Sequence, residues 1–87
     1  MRPLNYAILK LFQGGAEIDV QGVINSLEDQ YSDFRAFQPK AINESLMSAE
    51  KNGLLEECNW SLDDQGELHV FYKATDYGVE MIANYIK

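Results

Sequence analysis

The chain has 87 residues and a formal net charge of −7 at pH 7, which suits one small domain and has the wrong sign for binding nucleic acid through overall charge alone. No apolar run approaches the ~18 residues of a membrane-spanning helix, and no basic segment followed by an apolar run marks a signal peptide. The single cysteine, Cys58, cannot form an internal disulfide. We therefore expect no membrane association and a reduced, cytoplasmic setting.

The first thirty residues predict two helices. Pro3 suits a first helical turn, and apolar residues recur at helical spacing over 3–12. Residues 16–18 have a short extended pattern, which could place a third strand beside a later hairpin. Asp19 is a good N-cap for a second helix over 19–31.

A third helix is predicted over 38–52, after a turn that contains two aromatic residues. Pro39 stands near its start, and Gly53 follows its end because glycine readily takes up the left-handed conformation there. The buried edge of this helix is expected to comprise Ile42, Leu46 and Ala49. The opposite side carries Lys40, Glu44, Met47, Ser48 and Lys51.

The last third of the chain predicts a β-hairpin followed by a helix. Residues 54–74 alternate around an Asp-Asp-Gln-Gly turn, in which Gly66 is placed for a positive φ. Thr75 is a good N-cap for a last helix over 75–86. The residues expected to be largely buried in the resulting core are Leu11, Ile24, Leu27, Ile42, Leu46, Leu54, Val70 and Ile82.

Two short strings resemble a known superfamily. Residues 50–56, Glu-Lys-Asn-Gly-Leu-Leu-Glu, resemble the end of a recognition helix, usually Leu-x-x-x-Gly-Leu-Ile. Residues 72–78, Tyr-Lys-Ala-Thr-Asp-Tyr-Gly, resemble the Tyr-x-Leu-Thr-x-x-Gly start of the last helix in PadR-like and MarR-like regulators, with Ala74 in place of leucine. Residues 4–10 are similar to small winged helix proteins of Gram-positive bacteria and their phages.

The chain thus resembles the winged helix-turn-helix superfamily over nearly its whole length. We expect an α+β fold with a single winged helix domain over 1–87: a three-helix core, a β-hairpin wing and a C-terminal helix. The resemblance implies that the third helix enters the major groove of double-stranded DNA in a transcriptional regulator. The residues expected at that contact are Arg35, Gln38, Lys40, Asn43, Glu44, Met47, Ser48 and Lys51.

The resemblance also implies a homodimer, since the terminal helices form the dimer in PadR-like and MarR-like proteins. The first and last helices here have apolar stripes wider than one packing partner requires. The residues expected at the dimer interface are Leu4, Ile8, Phe12, Met81, Tyr85 and Ile86.

The predicted wing supports a second interpretation. Residues 54–87 hold two Lys/Arg against seven Asp/Glu, and the turn at 63–67 has three carboxylates and no cation. Such a tip is repelled by phosphate. The alternative is therefore a winged helix that binds another protein rather than DNA, with the acidic wing as its contact surface.

No enzyme, cofactor or metal site is predicted. His69 and Cys58 are too few for a structural zinc site, which needs four ligands. Asp63, Asp64 and Glu67 lack the twelve-residue frame of a calcium loop, so a solvated turn is the better interpretation. No nucleophile motif accompanies His69, and Gly14-Gly15 lacks the lysine and preceding strand of a phosphate loop.

Overall fold

A computed structural model of the chain describes residues 1–86 and confirms the predicted α+β winged helix architecture. Every predicted boundary lies within two residues of the observed one. The described residues form α1 (Leu4–Lys10), α2 (Val20–Tyr31), α3 (Pro39–Lys51), β1 (Leu55–Leu62), β2 (Leu68–Ala74) and α4 (Asp76–Tyr85). Residue 87 of the predicted domain lies outside the described range.

The helix starts and the short strand follow from local chemistry. The Asp19 carboxylate accepts a hydrogen bond from the Gly22 amide at 2.9 Å, which satisfies one of the unpaired donors of the first turn of α2. Ile18 forms an isolated antiparallel bridge with Tyr72 of β2, with both backbone hydrogen bonds at 2.9 Å. The predicted third strand therefore exists as a single bridge at the edge of the wing.

Four of the eight residues predicted as core are buried: Leu27, Ile42, Leu46 and Ile82. The prediction was wrong for the other four, which are only partly buried and pack around the core: Leu11, Ile24, Leu54 and Val70. Their chain neighbours Phe12 and Leu55 take the interior positions instead. For Leu54 the reason is the alternation of side chains along a strand. Since β1 begins at Leu55 and directs that side chain inward, Leu54 lies one position outside the core.

Large aromatic side chains complete the core. Phe12, Tyr31 and Tyr72 are at most 3% exposed. The Tyr31 hydroxyl donates to the backbone carbonyl of Arg2 at 2.6 Å, so its polar end is satisfied while its ring is buried. This bond ties the start of the chain to the end of α2.

The end of α3 and the start of α4 are in direct contact. Thr75 Oγ1 accepts from the Gly78 amide at 2.9 Å as the N-cap of α4, and it donates to the Gly53 carbonyl at 2.6 Å. Gly78 lies so close to Leu54 that a Cβ on it would overlap the Leu54 carbonyl. The two strings that carry the family resemblance are thus two sides of one contact, which sets α4 against the exit of α3.

The wing contains an irregularity that changes which side chains share a face. Glu57 pairs with Tyr72 and Asn59 with Phe71, so Cys58 is an extra residue in β1. A bulge of this kind shifts the alternation of the strand beyond it. The Cys58 thiol donates to the Phe71 carbonyl at a sulfur–oxygen distance of 3.4 Å.

Candidate nucleic-acid interface

Helix α3 is anchored by one edge and exposed on the other. Ile42 and Leu46 have no exposed surface, and Ala49 is 7% exposed. Since these residues recur at i, i+4 and i+7, they fix both the position and the rotation of the helix. The face that α3 presents outward is therefore determined by its core contacts.

The residues predicted to contact DNA are all exposed. Lys40 and Lys51 lie at the two ends of α3, separated by roughly 16 Å of helix rise. Among residues 1–86, no carboxylate comes within ion-pair distance of either ammonium group or of the Arg35 guanidinium. The predicted contact residues, all of them exposed, are Arg35, Gln38, Lys40, Asn43, Glu44, Met47, Ser48 and Lys51.

The turn between α2 and α3 is held by its own contacts. The Phe34 ring meets the buried Tyr31 ring edge-on, with centroids 4.9 Å apart. Gln38 is the N-cap of α3, and its side-chain amide donates to the Arg35 carbonyl at 2.8 Å. The second of these contacts holds the backbone of Arg35 close to the N-terminus of α3.

One feature of this interface was not predicted from the sequence. Glu50, near the end of α3, approaches Glu57 at the base of the wing, and partial burial together with the Glu57 carboxylate raises the pKa of Glu50. Six residues, including a turn, separate the two glutamates, so no sequence spacing indicated the pair. It places negative charge behind the Lys51 end of α3.

The tip of the wing is acidic and ordered. Asp63 Oδ1 accepts from the Gln65 and Glu67 amides, both at 2.9 Å. Asp63 Oδ2 lies 3.1 Å from His69 Nε2. Asp64 and Glu67 are exposed beside it, so the tip offers phosphate no favourable partner.

The predicted dimer residues divide into two groups. Ile8, Phe12 and Ile86 are 2%, 0% and 6% exposed, so they belong to the core of the chain and are not available to a second subunit. The stripe of α1 was wide because it packs against both α2 and the end of α4, and the sequence could not separate these contacts from an external one.

The other three predicted dimer residues reach the surface. Leu4 and Met81 are half-buried and Tyr85 is 71% exposed. Tyr6, which was not predicted, is 50% exposed on α1. Between α1 and α4 lies an apolar groove of about 160 Å³, lined by Tyr6, Leu9, Leu54, Met81, Ile82, Tyr85 and Ile86.

Residues 1–86 have two further properties that bear on function. None of their helices is long and apolar enough to cross a membrane. Their histidine, cysteine and acidic side chains form no cluster of three that could hold a metal ion.

An exposed helix on a three-helix core, followed by a hairpin and a closing helix, defines the winged helix class, and solved structures agree with it. PadR of Bacillus subtilis in complex with operator DNA superposes with a TM-score of 0.76 at 19% identity, over 97% of this chain and 47% of that one. A PadR-like transcriptional regulator from Bacillus cereus gives a TM-score of 0.68 at 21% identity, over 92% of this chain and 74% of that one.

These similarities confirm the PadR-like winged helix fold that the sequence predicted. The chain spans about half the length of the Bacillus subtilis PadR chain. No protein-family model matches the sequence, and no curated protein matches it closely enough to count as a relative.

Proposed function

We propose that this chain is a DNA-binding transcriptional regulator that acts in the cytoplasm as a dimer, with residues 1–87 forming one winged helix domain and no catalytic role. The observation that carries the proposal is the outer face of α3. It combines two unpaired lysines with amide, hydroxyl and thioether side chains on a helix whose rotation is fixed by the core.

The chemistry of this face suits the major groove. Lys40 and Lys51 are spaced to reach phosphates at the two edges of one groove, with Arg35 in the turn that precedes the helix. Asn43, Met47 and Ser48 lie between the lysines and would meet base edges. Glu44 lies there too, and as an acceptor it would bind a base amino group, with N4 of cytosine as the usual partner of a carboxylate.

The fold comparison supports the same contact. The Bacillus subtilis PadR structure that superposes on this chain contains operator DNA. The net charge of −7 means that attraction must come from the local cations of α3 rather than from the whole molecule. A dimer would double the number of phosphate contacts.

The dimer is assigned to the α1–α4 face. Tyr6, Met81 and Tyr85 expose apolar surface around the groove there, which a second copy would cover. Sedimentation equilibrium of M81E/Y85E tests this, with V79E as the control because Val79 is exposed on α4 outside the groove. We expect M81E/Y85E to be monomeric and V79E to remain dimeric. A wild type that stays monomeric at hundreds of micromolar would remove the dimer.

Binding to DNA is tested by substitutions that each remove one positive charge. The probe is a labelled mixed-sequence duplex of about 30 base pairs, long enough for two half-sites, followed by fluorescence anisotropy at low salt. We expect K40Q and K51Q each to weaken binding and the double variant to abolish it. The control is K73Q, because Lys73 lies in the wing, opposite Glu56. Equal losses for K73Q and the α3 variants would mean that α3 is not the contact.

A further inference from the structure

The outer half of the wing exposes an apolar strip. Trp60, Leu62 and Leu68 are 57%, 70% and 60% exposed. Trp60 pairs with Val70 and Leu62 pairs with Leu68, so these four side chains share one face of the hairpin. We call Trp60, Leu62, Leu68 and Val70 the wing strip.

The bulge at Cys58 creates this strip. In an unbroken strand Trp60 and Leu62 would lie on the face opposite Leu55. The extra residue reverses the alternation, so that both side chains join Leu55 on the same face.

The inner and outer halves of this face have different environments. At the base, Leu55 and Tyr72 are 2% and 3% exposed because they cover the helical core. Farther out, Val70 packs against the edge of the core, whereas Trp60, Leu62 and Leu68 are exposed to solvent. Clustered large apolar side chains with nothing to cover them mark surfaces that bind other molecules.

Carboxylates lie at both ends of the wing strip. Asp63, Asp64 and Glu67 lie at the tip, and Glu57 lies at the base on the same face as Tyr72. Lys73 is the sole lysine or arginine in the hairpin, and its pairing with Glu56 places it on the other face. A nucleic acid backbone would be repelled from this surface.

The tip of the wing is held in place from behind. His69 pairs with Ser61, which puts it on the face opposite the strip, and its ring nitrogens lie 3.1 Å from Asp19 of the α2 cap and 3.1 Å from Asp63 of the tip. These contacts reduce the freedom of the hairpin before anything binds.

We propose that the wing strip is a docking surface for a partner protein whose contact surface has apolar side chains surrounded by lysine and arginine. Charge complementarity selects this occupant, because Glu57, Asp64 and Glu67 lie at the two ends of the strip and no lysine or arginine lies on its face, which favours a basic partner. Trp60, which is 57% exposed, is the large aromatic anchor typical of such contacts. The strip shares no residue with α3, so the surface is independent of the proposed DNA contact.

The single tryptophan of the chain makes the test direct, since all tryptophan emission comes from Trp60. The probe is a synthetic amphipathic helical peptide with leucine on one face and lysine on its flanks. The control is the same peptide with glutamate in place of lysine. We expect a saturable blue shift of Trp60 emission with the lysine peptide and none with the glutamate peptide.

Variants then assign the shift to the strip. We expect L62S/L68S to weaken binding of the lysine peptide at least about tenfold. D64N/E67Q should also weaken it, and neither residue takes part in the His69 contacts. The control is Y77S, which removes a comparably exposed ring from α4.

Four outcomes would overturn the proposal. The two peptides could shift Trp60 equally, or Y77S could weaken binding as much as L62S/L68S. A blue shift that grows with protein concentration alone would show that a second copy covers the strip. A Trp60 shift with duplex DNA would make the strip a nucleic acid surface. Loss of DNA binding in the α3 variants leaves the three readouts made without DNA unchanged, so the two proposals can fail separately.

Discussion

His69 Nδ1 lies 3.1 Å from Asp19 Oδ2, so the one histidine of the chain joins the wing to the N-cap of α2. Its other ring nitrogen, Nε2, lies 3.1 Å from Asp63 Oδ2 at the wing tip. Hydrogen bonds to Asp63 and then Asp19 raise the pKa of His69, and the hydrogen bond to His69 is the main cause that lowers the pKa of Asp63. The wing is therefore fastened most strongly when the imidazole is positive and both carboxylates are negative.

These pKa shifts predict how stability depends on pH. Because the pKa of His69 is raised, its contribution is complete below its ordinary value of 6.5 and is lost as the pH rises through the raised pKa. Because the pKa of Asp63 is lowered, its contribution is present above its ordinary value of 3.8 and is lost as the pH falls through the lowered pKa. We expect the difference in Tm between wild type and H69Q to be larger at about pH 5.5 than at about pH 8.5.

The histidine signal in a proton NMR titration is unique and gives the pKa directly. We expect a value above 6.5 in the wild type and a lower one in D63N and D19N. Asparagine at position 19 can still cap α2, so D19N separates the histidine contact from helix capping. An unchanged titration in both variants would show that the wing is not fastened this way.

The close packing of Gly78 predicts that one added methyl group strongly lowers the stability of the fold. A Cβ at this position would overlap the backbone carbonyl of Leu54, which cannot move without shifting the end of α3. We expect G78A to lower the denaturant midpoint strongly. The control is G14A, since a Cβ on Gly14 meets no atom within 4 Å. Equal stability of the two variants would contradict the close approach.

The burial of Leu46 predicts how much stability is lost when a cavity forms beneath α3. Its side chain has no exposed surface, and we expect L46A to lower the free energy of unfolding by about 2–5 kcal/mol in urea denaturation. Met47 is the neighbouring control, because it is 44% exposed and M47A should change stability by less than about 0.5 kcal/mol. A reversed order would mean that α3 presents its other side to the core.

The surroundings of Cys58 predict that its thiol is alkylated slowly in the folded protein. Burial and then the nearby Glu17 carboxylate raise the pKa of its thiol above the ordinary value of 9.0. Since the thiolate is the reactive form, iodoacetamide should alkylate the native protein more slowly than the urea-unfolded chain at about pH 8. E17Q should react faster than wild type, and an equal rate would show that Glu17 does not influence the thiol.

The order of elements followed from the sequence because each boundary has a local cause. Asp19 and Thr75 cap their helices as predicted, and Gly53 and Gly66 both have positive φ. The predicted residues Leu11 and Leu54 missed the interior by one position each, because the local pattern does not specify where a strand begins or a helix ends. The bulge at Cys58 had no signal in the sequence at all.

The candidate site was predictable in part. The outward residues of α3 follow from helical periodicity once Ile42 and Leu46 face inward. The contacts between Glu50 and Glu57 and between His69 and Asp19 depend on how the wing folds back against the helices, so their spacing along the chain gave no indication. Ile8, Phe12 and Ile86 were assigned to the dimer because an apolar stripe does not show whether a helix of the same chain or a second subunit covers it.

The salt dependence of wild-type binding to duplex DNA shows whether the cations of α3 contact phosphates. With two or three phosphate contacts per subunit, a dimer should give a slope of about −4 to −5 in a plot of log affinity against log salt concentration. D63K/D64K should bind more tightly than wild type, because it replaces the carboxylates of the wing tip with cations. If neither the wild type nor D63K/D64K binds any duplex at low salt, the DNA-binding account is contradicted and the wing remains as the contact surface.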